Sequence, residues 1–107
     1  MNKRLLPLVL ALAGAAAHAA PQLETVVEGL NTPWAVAFLP SGELLITERG
    51  GTMRTAKPGT KPSSPIQGIP ALAVQGQGGL LDVVLDSDFA RNRTLYFCFS
   101  EPGDGKT

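Results

Sequence analysis

Residues 33–49 read PWAVAFLPSGELLITER and place two short apolar runs on either side of a turn signal. The first run, residues 34–38, and the second, residues 44–47, are each short enough to be a strand. Residues 40–42 between them are Pro-Ser-Gly, in which proline presets φ and glycine accepts a positive φ. The pattern therefore predicts a β-hairpin.

The segments around this hairpin also show strands and turns, and none of them holds a helical period. Residues 23–27 are predicted to form a preceding strand. Gly50 and Gly51 tolerate positive φ, so residues 52–55 are predicted to return as a third strand. Residues 57–70 are rich in proline, glycine and serine, which predicts a loop or irregular edge rather than a domain linker.

The hairpin pattern recurs further along the chain. The runs at residues 35–38 and 44–47 are echoed at residues 82–85 and 95–98, with offsets of 47 and 51 residues. The extra length falls in residues 86–93, which are predicted to form a longer polar turn. A spacing of about 40–50 residues with several short strands per unit is typical of β-propeller blades. The pattern favours an all-β, incomplete propeller of about two blades over a sandwich or barrel.

The first 19 residues are predicted to be a signal peptide that is removed on export. Lys3 and Arg4 give a basic start, residues 5–17 are apolar, and a small-x-small cleavage signal ends at Ala19. The alternative is a membrane anchor, but the apolar run is shorter than the roughly 20 residues that span a bilayer. We therefore expect a periplasmic or secreted protein with no stable membrane insertion after cleavage.

Charge and the rare residue types narrow the possible functions. Without Lys3 and Arg4 the chain has 7 basic and 9 acidic side chains, which argues against nucleic acid as a partner. Cys98, the only cysteine, excludes an internal disulfide and is predicted to be a small buried hydrophobe. His18, the only histidine, would leave with the signal peptide, so no Cys–His or Ser–His pair is expected.

Three aspartates near the second hairpin form a candidate calcium site. Asp86 and Asp88 occupy alternate positions with Asp82 nearby, and carboxylates at alternate positions of a loop can converge on a cation. An EF-hand loop that began at Asp82 would need glycine at its sixth position and glutamate at its twelfth, where this chain has Ser87 and Arg93. The pattern favours a solvated turn in which aspartates cap backbone amides.

Two further features allow a structural or a functional interpretation. Glu48 and Arg49 could form a salt-bridged strand end or a polar site, and the salt bridge is favoured. Trp34 could stack on a ligand, but a tryptophan at the start of a blade strand is more often part of the core.

The segment from Gly76 to Leu80, GQGGL, is the clearest loop motif in the chain. It is not a dinucleotide fingerprint, because Leu81 stands at the third glycine position and a strand follows instead of a helix. It also lacks the Gly-Lys-Ser/Thr ending of a phosphate-binding P-loop. The loop either only turns the chain or brings its backbone and the amide of Gln77 close to a ligand.

Three blocks taken together resemble the PQQ-dependent aldose sugar dehydrogenases of the glucose/sorbosone dehydrogenase family. The blocks are residues 33–49, residues 76–92, and the Leu-Tyr strand with its continuation to residue 102. The resemblance implies an exported six-bladed β-propeller with four strands per blade. It also implies a pyrroloquinoline quinone (PQQ) and calcium near the propeller axis, and the oxidation of aldose sugars to lactones with an external electron acceptor. Residues 20–107 would form the N-terminal part of this domain.

The resemblance assigns one cofactor contact to this chain. Gln77 matches the glutamine of the family's G-Q-x-G-L block, which reaches the quinone, while the neighbouring glycines shape the loop. The family's catalytic histidine, calcium ligands and basic cofactor contacts correspond to positions beyond Thr107, so the resemblance implies no catalytic or metal-binding residue here and no activity of this chain alone. The alternatives are a non-enzymatic sugar- or protein-binding propeller and a calcium-dependent, lactonase-like propeller.

Overall fold

The computed structural model describes residues 20–103, which form two small antiparallel sheets. The elements, in chain order, are β1 (Pro33–Phe38), β2 (Leu44–Glu48), β3 (Thr52–Ala56), β4 (Leu80–Leu85), α1 (Phe89–Asn92) and β5 (Leu95–Phe99). Strands β1, β2 and β3 form one sheet in sequence order, and β4 pairs with β5 in the other. The predicted hairpin, third strand and second hairpin are confirmed.

Glycines at the two turns of the first sheet allow the chain to reverse within a few residues. Gly42 has a φ of 88°, and its N–H donates to the Leu39 carbonyl at 2.9 Å. Gly51 has a φ of 115°, and its N–H donates to the Glu48 carbonyl at 3.0 Å. An L-residue with a side chain rarely adopts such φ values, so glycine at these positions fixes where the strands end.

The core lies between the two sheets. One face of the first sheet contributes Ala37, Leu45 and Met53, which pack on Leu80 and Val83 of β4. Leu80 is fully buried and Met53 is 2% exposed. Side chains alternate between the two faces of a strand, so β2 also faces the opposite side, where Leu44 and Ile46 lie.

The segment before β1 covers part of that second face, and it is not a strand. Val27 and Leu30 pack against the cluster that contains Leu44 and Ile46. The predicted strand at residues 23–27 is therefore wrong. Its main-chain pairing within the described residues is one hydrogen bond, from the Gly59 N–H to the Val26 carbonyl at 2.7 Å, whereas a strand requires a ladder of such bonds.

The structure also corrects two predictions of burial. Cys98 is exposed, because Leu95, Phe97 and Phe99 of the same strand face the core and Cys98 points the other way. Trp34 is 48% exposed for the same reason, because side chains alternate along β1 and its alanines, Ala35 and Ala37, face the core. Local sequence shows that a residue is on a strand, but burial depends on what covers that face.

The polar segment at residues 86–93 contains a short helix, α1, rather than only a turn. Phe89 of this helix is buried, and Arg93 ends the helix in the left-handed region at a φ of 56°. Asp86 accepts hydrogen bonds from the Asp88 N–H at 3.0 Å and the Asn92 amide at 2.7 Å, which confirms the predicted capping by this aspartate. The Asn92 amide and the Asp88 N–H lower the pKa of Asp86.

The loop predicted at residues 57–70 is confirmed, since no strand or helix occurs there. The predicted signal peptide, including His18, lies outside the described residues. Within residues 20–103, no helix has the length and apolar character needed to cross a bilayer.

Candidate functional site

The glycine-rich loop preceding β4 is a tight turn. The Gly78 N–H donates to the Gln75 carbonyl at 2.7 Å, which makes Gly76 and Gln77 its two central residues. Gly76 has a φ of 54°, whereas Gln77 is not among the residues with positive φ. A positive φ at the first central position alone is the pattern of a type II′ turn. The loop therefore turns the chain, which both interpretations of the motif include.

Two glycines of this loop allow other parts of the chain to approach closely. A Cβ on Gly79 would lie 2.2 Å from the Arg49 carbonyl oxygen, and a Cβ on Gly78 would lie 2.9 Å from the Ser100 hydroxyl. Neither distance is compatible with a side chain, so the space beside these two glycines is filled by the protein itself. Gly76, by contrast, has nothing within 4 Å of the position of a Cβ.

The loop is held on both sides by hydrogen bonds. On one side, Arg49 accepts a main-chain bond from Leu80 at 3.0 Å and donates from its guanidinium to the Gly76 carbonyl at 2.5 Å. On the other side, the Ser100 N–H donates to the Gly79 carbonyl at 3.0 Å, and the Gly79 N–H donates to the Ser100 hydroxyl at 3.3 Å. The residues directly after β2 and β5, Arg49 and Ser100, thus fix the loop between the two sheets.

Gln77 lies at the exposed tip of this loop. Its side chain forms no hydrogen bond with another residue of the described segment 20–103. The amide can donate two hydrogen bonds and accept others, and the loop that carries it is fixed. This arrangement suits a side chain that meets a ligand, and the role of Gln77 at a cofactor stays a prediction.

Glu48 and Arg49 have separate roles. The Glu48 side chain is buried, and its carboxylate accepts hydrogen bonds from the Asn31 N–H at 2.5 Å, from Arg54 Nε at 2.6 Å and from the Thr52 hydroxyl. Burial raises the pKa of Glu48, but these three donors outweigh it and lower the pKa below its ordinary value of 4.5. A salt bridge at this strand end is confirmed for Glu48, but its partner is Arg54, whereas the Arg49 guanidinium bonds to a main-chain carbonyl.

The sequence did not predict that Arg49 lies beside the glycine-rich loop. Its guanidinium bonds to Gly76, 27 positions away along the chain, and no local pattern links the two. The contact arises because β2 and β4 belong to sheets that pack against each other.

No metal site is found among residues 20–103, where no three histidine, cysteine, aspartate or glutamate side chains lie close enough together to hold an ion. Asp82 and Asp86 instead accept local hydrogen bonds, from the Val83 N–H at 2.9 Å and from the donors described above. We assign none of residues 20–103 to calcium.

Comparison with known proteins places this geometry in a family. The Glucose / Sorbosone dehydrogenase family model matches residues 30–107. The chain is 47% identical over 90 residues to the aldose sugar dehydrogenase YliI of Escherichia coli strain K12, covering 83% of this chain and 24% of that protein. The chain thus spans about a quarter of the length of this relative.

Solved structures agree with the match of sequence. The apo form of the soluble aldose sugar dehydrogenase from Escherichia coli is 47% identical with a TM-score of 0.71, covering 77% of this chain and 24% of that one. The PQQ-bound aldose sugar dehydrogenase from Streptomyces coelicolor is 35% identical with a TM-score of 0.69, covering 77% of this chain and 25% of that one. These similarities confirm the predicted fold class, an all-β, incomplete β-propeller. The chain belongs to the glucose/sorbosone dehydrogenase family.

Proposed function

We propose that the protein containing this chain is an exported PQQ-dependent dehydrogenase that oxidises aldose sugars at the anomeric carbon to lactones. The observation that carries this proposal is the exposed amide of Gln77 on a fixed loop, in a chain similar to a PQQ-bound aldose sugar dehydrogenase. The family supports a dehydrogenase, and the geometry supports a polar contact at this loop.

The residues of the loop fit PQQ chemically. PQQ is a planar polyanion with carbonyl and carboxylate oxygens, which an amide N–H can meet as a hydrogen-bond donor. Arg49 adds a positive charge beside the same turn, where its guanidinium contacts Gly76. Gly76 has open space at its Cα, so no side chain stands between the turn and a ligand. Binding sites for cofactors typically combine a shaped surface with a few such polar groups.

Bound PQQ supplies the hydride acceptor for the oxidation of the sugar. In this proposal the chain's own contribution is to bind and orient: Gln77 donates to an oxygen of the quinone, and the turn keeps its amide in place. We propose that the catalytic base and the calcium ligands lie in the part of the family's length that this chain does not span. This chain alone is accordingly expected to be inactive.

The proposal also covers location and organisation. Residues 1–19 are proposed to direct export to the periplasm or the medium and to be removed. Residues 20–107 are proposed to supply about two blades of the propeller, and electrons are proposed to pass from the cofactor to an external acceptor.

Turnover of the full-length protein tests this function. The apoprotein is mixed with PQQ and calcium, and aldose oxidation is followed with an artificial electron acceptor. We expect PQQ-dependent turnover, and we expect Gln77→Ala to raise the PQQ concentration for half-maximal activity about tenfold, the size of one hydrogen bond to a charged ligand. Gln67→Ala changes an exposed glutamine ten positions earlier in the connection between β3 and β4 and is the matched control. Failure of every aldose to react with PQQ present would favour a binding or hydrolytic propeller.

A further inference from the structure

We propose that Arg49 is a positioning residue for the cofactor site and that it acts through Gln77. This inference rests on the proposed function and adds a residue outside the glycine-rich motif. Its basis is the hydrogen bond of 2.5 Å from the Arg49 guanidinium to the Gly76 carbonyl.

The bonded carbonyl belongs to the peptide group between Gly76 and Gln77, the central peptide of the turn. This group has no partner in either sheet ladder, so Arg49 is the contact that fixes its direction. Type II′ and type I′ turns differ in the orientation of this peptide, and type I′ requires a positive φ at both central residues. By holding the carbonyl, Arg49 favours the type II′ form, in which Gln77 keeps its ordinary φ.

Arg49 is itself fixed by its surroundings. Its N–H donates to the Thr32 carbonyl at 3.0 Å, and its carbonyl accepts from the Leu80 N–H at 3.0 Å. Its Cγ lies 2.8 Å from where a Cβ of Gly79 would stand, so the absence of a side chain at Gly79 makes room for the arginine stem. A fixed arginine beside the turn can transmit the position of β2 to the amide of Gln77.

A binding experiment on full-length apoprotein tests this role without turnover. PQQ is titrated into the parent, Arg49→Gln, Gln77→Ala and the double variant, and the quench of intrinsic fluorescence gives each Kd. We expect Arg49→Gln to weaken PQQ binding about tenfold in the parent, as for loss of a charge-assisted hydrogen bond. In the Gln77→Ala background we expect Arg49→Gln to weaken PQQ binding less than about threefold, because the amide that Arg49 positions is absent.

Two further variants control for charge and for stability. Arg91→Gln removes an arginine whose side chain is 85% exposed, and it should leave the Kd unchanged. Arg49→Lys keeps the positive charge and a donor, so it should restore most of the affinity. Unfolding midpoints are measured for each variant, and Arg49→Met, which removes the charge and the donors but keeps an unbranched side chain, replaces Arg49→Gln in the cycle if the glutamine variant does not fold.

The outcomes separate this inference from the proposed function. An equal loss from Arg49→Gln in both backgrounds would mean that Arg49 does not act through Gln77 and would overturn the inference. An unchanged Kd in Arg49→Gln would overturn it as well, while the proposed function stood. A parent that binds no PQQ would overturn the proposed function and this inference together.

Discussion

Gly79 joins the glycine-rich loop to β4 at a point where the backbone has almost no room. Its φ is 149°, and a Cβ would lie 2.2 Å from the Arg49 carbonyl oxygen. Gly76, three positions earlier, also has a positive φ, 54°, but open space around its Cα. Alanine at position 76 would therefore carry only the cost of the backbone conformation, whereas alanine at position 79 would also collide with Arg49.

We predict that Gly79→Ala destabilises the full-length protein by about 3 kcal/mol or more, because the backbone at Arg49, directly after β2, has to move. Gly76→Ala should cost only about 1–2 kcal/mol, the penalty of a positive φ for a residue with a side chain. Urea unfolding of both variants measures the difference. Equal losses would show that the contact between Gly79 and Arg49 does not constrain the fold.

The buried carboxylate of Glu48 makes stability depend on pH. Its pKa is below the ordinary 4.5 because its donors outweigh burial. When the folded-state pKa is lower than the unfolded one, the stabilisation is present above the unfolded pKa and is lost as the pH falls through the folded pKa. The Glu48 interactions should therefore protect the fold near neutral pH and fail in acid.

We predict that Glu48→Gln lowers the free energy of unfolding by about 2 kcal/mol at neutral pH, since the charged pair with Arg54 is broken. The gap in melting temperature between parent and variant should shrink as the pH falls from about 6 to about 3. Glu24→Gln, at an exposed position, should show no such trend. A gap that stayed constant with pH would contradict this account of Glu48.

Among the elements of the fold, the two sheets are connected by a hydrogen bond of Thr47. Thr47 is fully buried in β2, and its hydroxyl donates to the Leu81 carbonyl of β4 at 2.7 Å. The same hydroxyl accepts from the Ala35 N–H of β1 at 3.1 Å. One side chain thus satisfies polar groups from two other strands in the region between the sheets.

We predict that Thr47→Val lowers the free energy of unfolding by about 2 kcal/mol, since it keeps the shape of the side chain and leaves a partly buried carbonyl and N–H without this partner. Thr55→Val is the matched control, because the Thr55 hydroxyl forms no hydrogen bond within residues 20–103 and the change should stay within about 0.5 kcal/mol. Chemical denaturation compares the two. A loss in Thr55→Val as large as that in Thr47→Val would contradict the bridging role.

The sequence predicted the elements that depend on local signals. The hairpin at residues 34–47 follows from two apolar runs and a Pro-Ser-Gly turn, all within a few residues. The strand predicted at residues 23–27 failed because a strand also needs a ladder partner, which composition does not reveal. Cys98 was wrongly predicted to be buried because burial depends on whether another layer covers that face of β5.

The candidate site shows the same limit. The turn at Gly76 was visible in the motif, because glycines carry a local conformational signal. The contact between Arg49 and this turn depends on how two sheets pack, so no spacing in the sequence predicts it. The role of Gln77 came from the family resemblance, and it stays a prediction.

At the scale of the whole molecule, large apolar side chains remain on the outer faces of both sheets. Trp34, Val36 and Phe38 on β1 are 48%, 50% and 76% exposed, and Val84 and Tyr96 on the second sheet are 58% and 57% exposed. Blades of a repeat architecture bury such faces against their neighbours. Since the chain spans about a quarter of the length of its relative, we expect the rest of the propeller to cover these faces.

A crystal structure of the full-length protein with PQQ bound would show whether this loop contacts the cofactor. We predict that an oxygen of PQQ lies within about 2.7–3.2 Å of the Gln77 side-chain nitrogen. We also predict that the Arg49 guanidinium keeps its bond to the Gly76 carbonyl. A PQQ molecule bound out of reach of Gln77, or no PQQ in the propeller, would contradict the assignment of this loop to the cofactor.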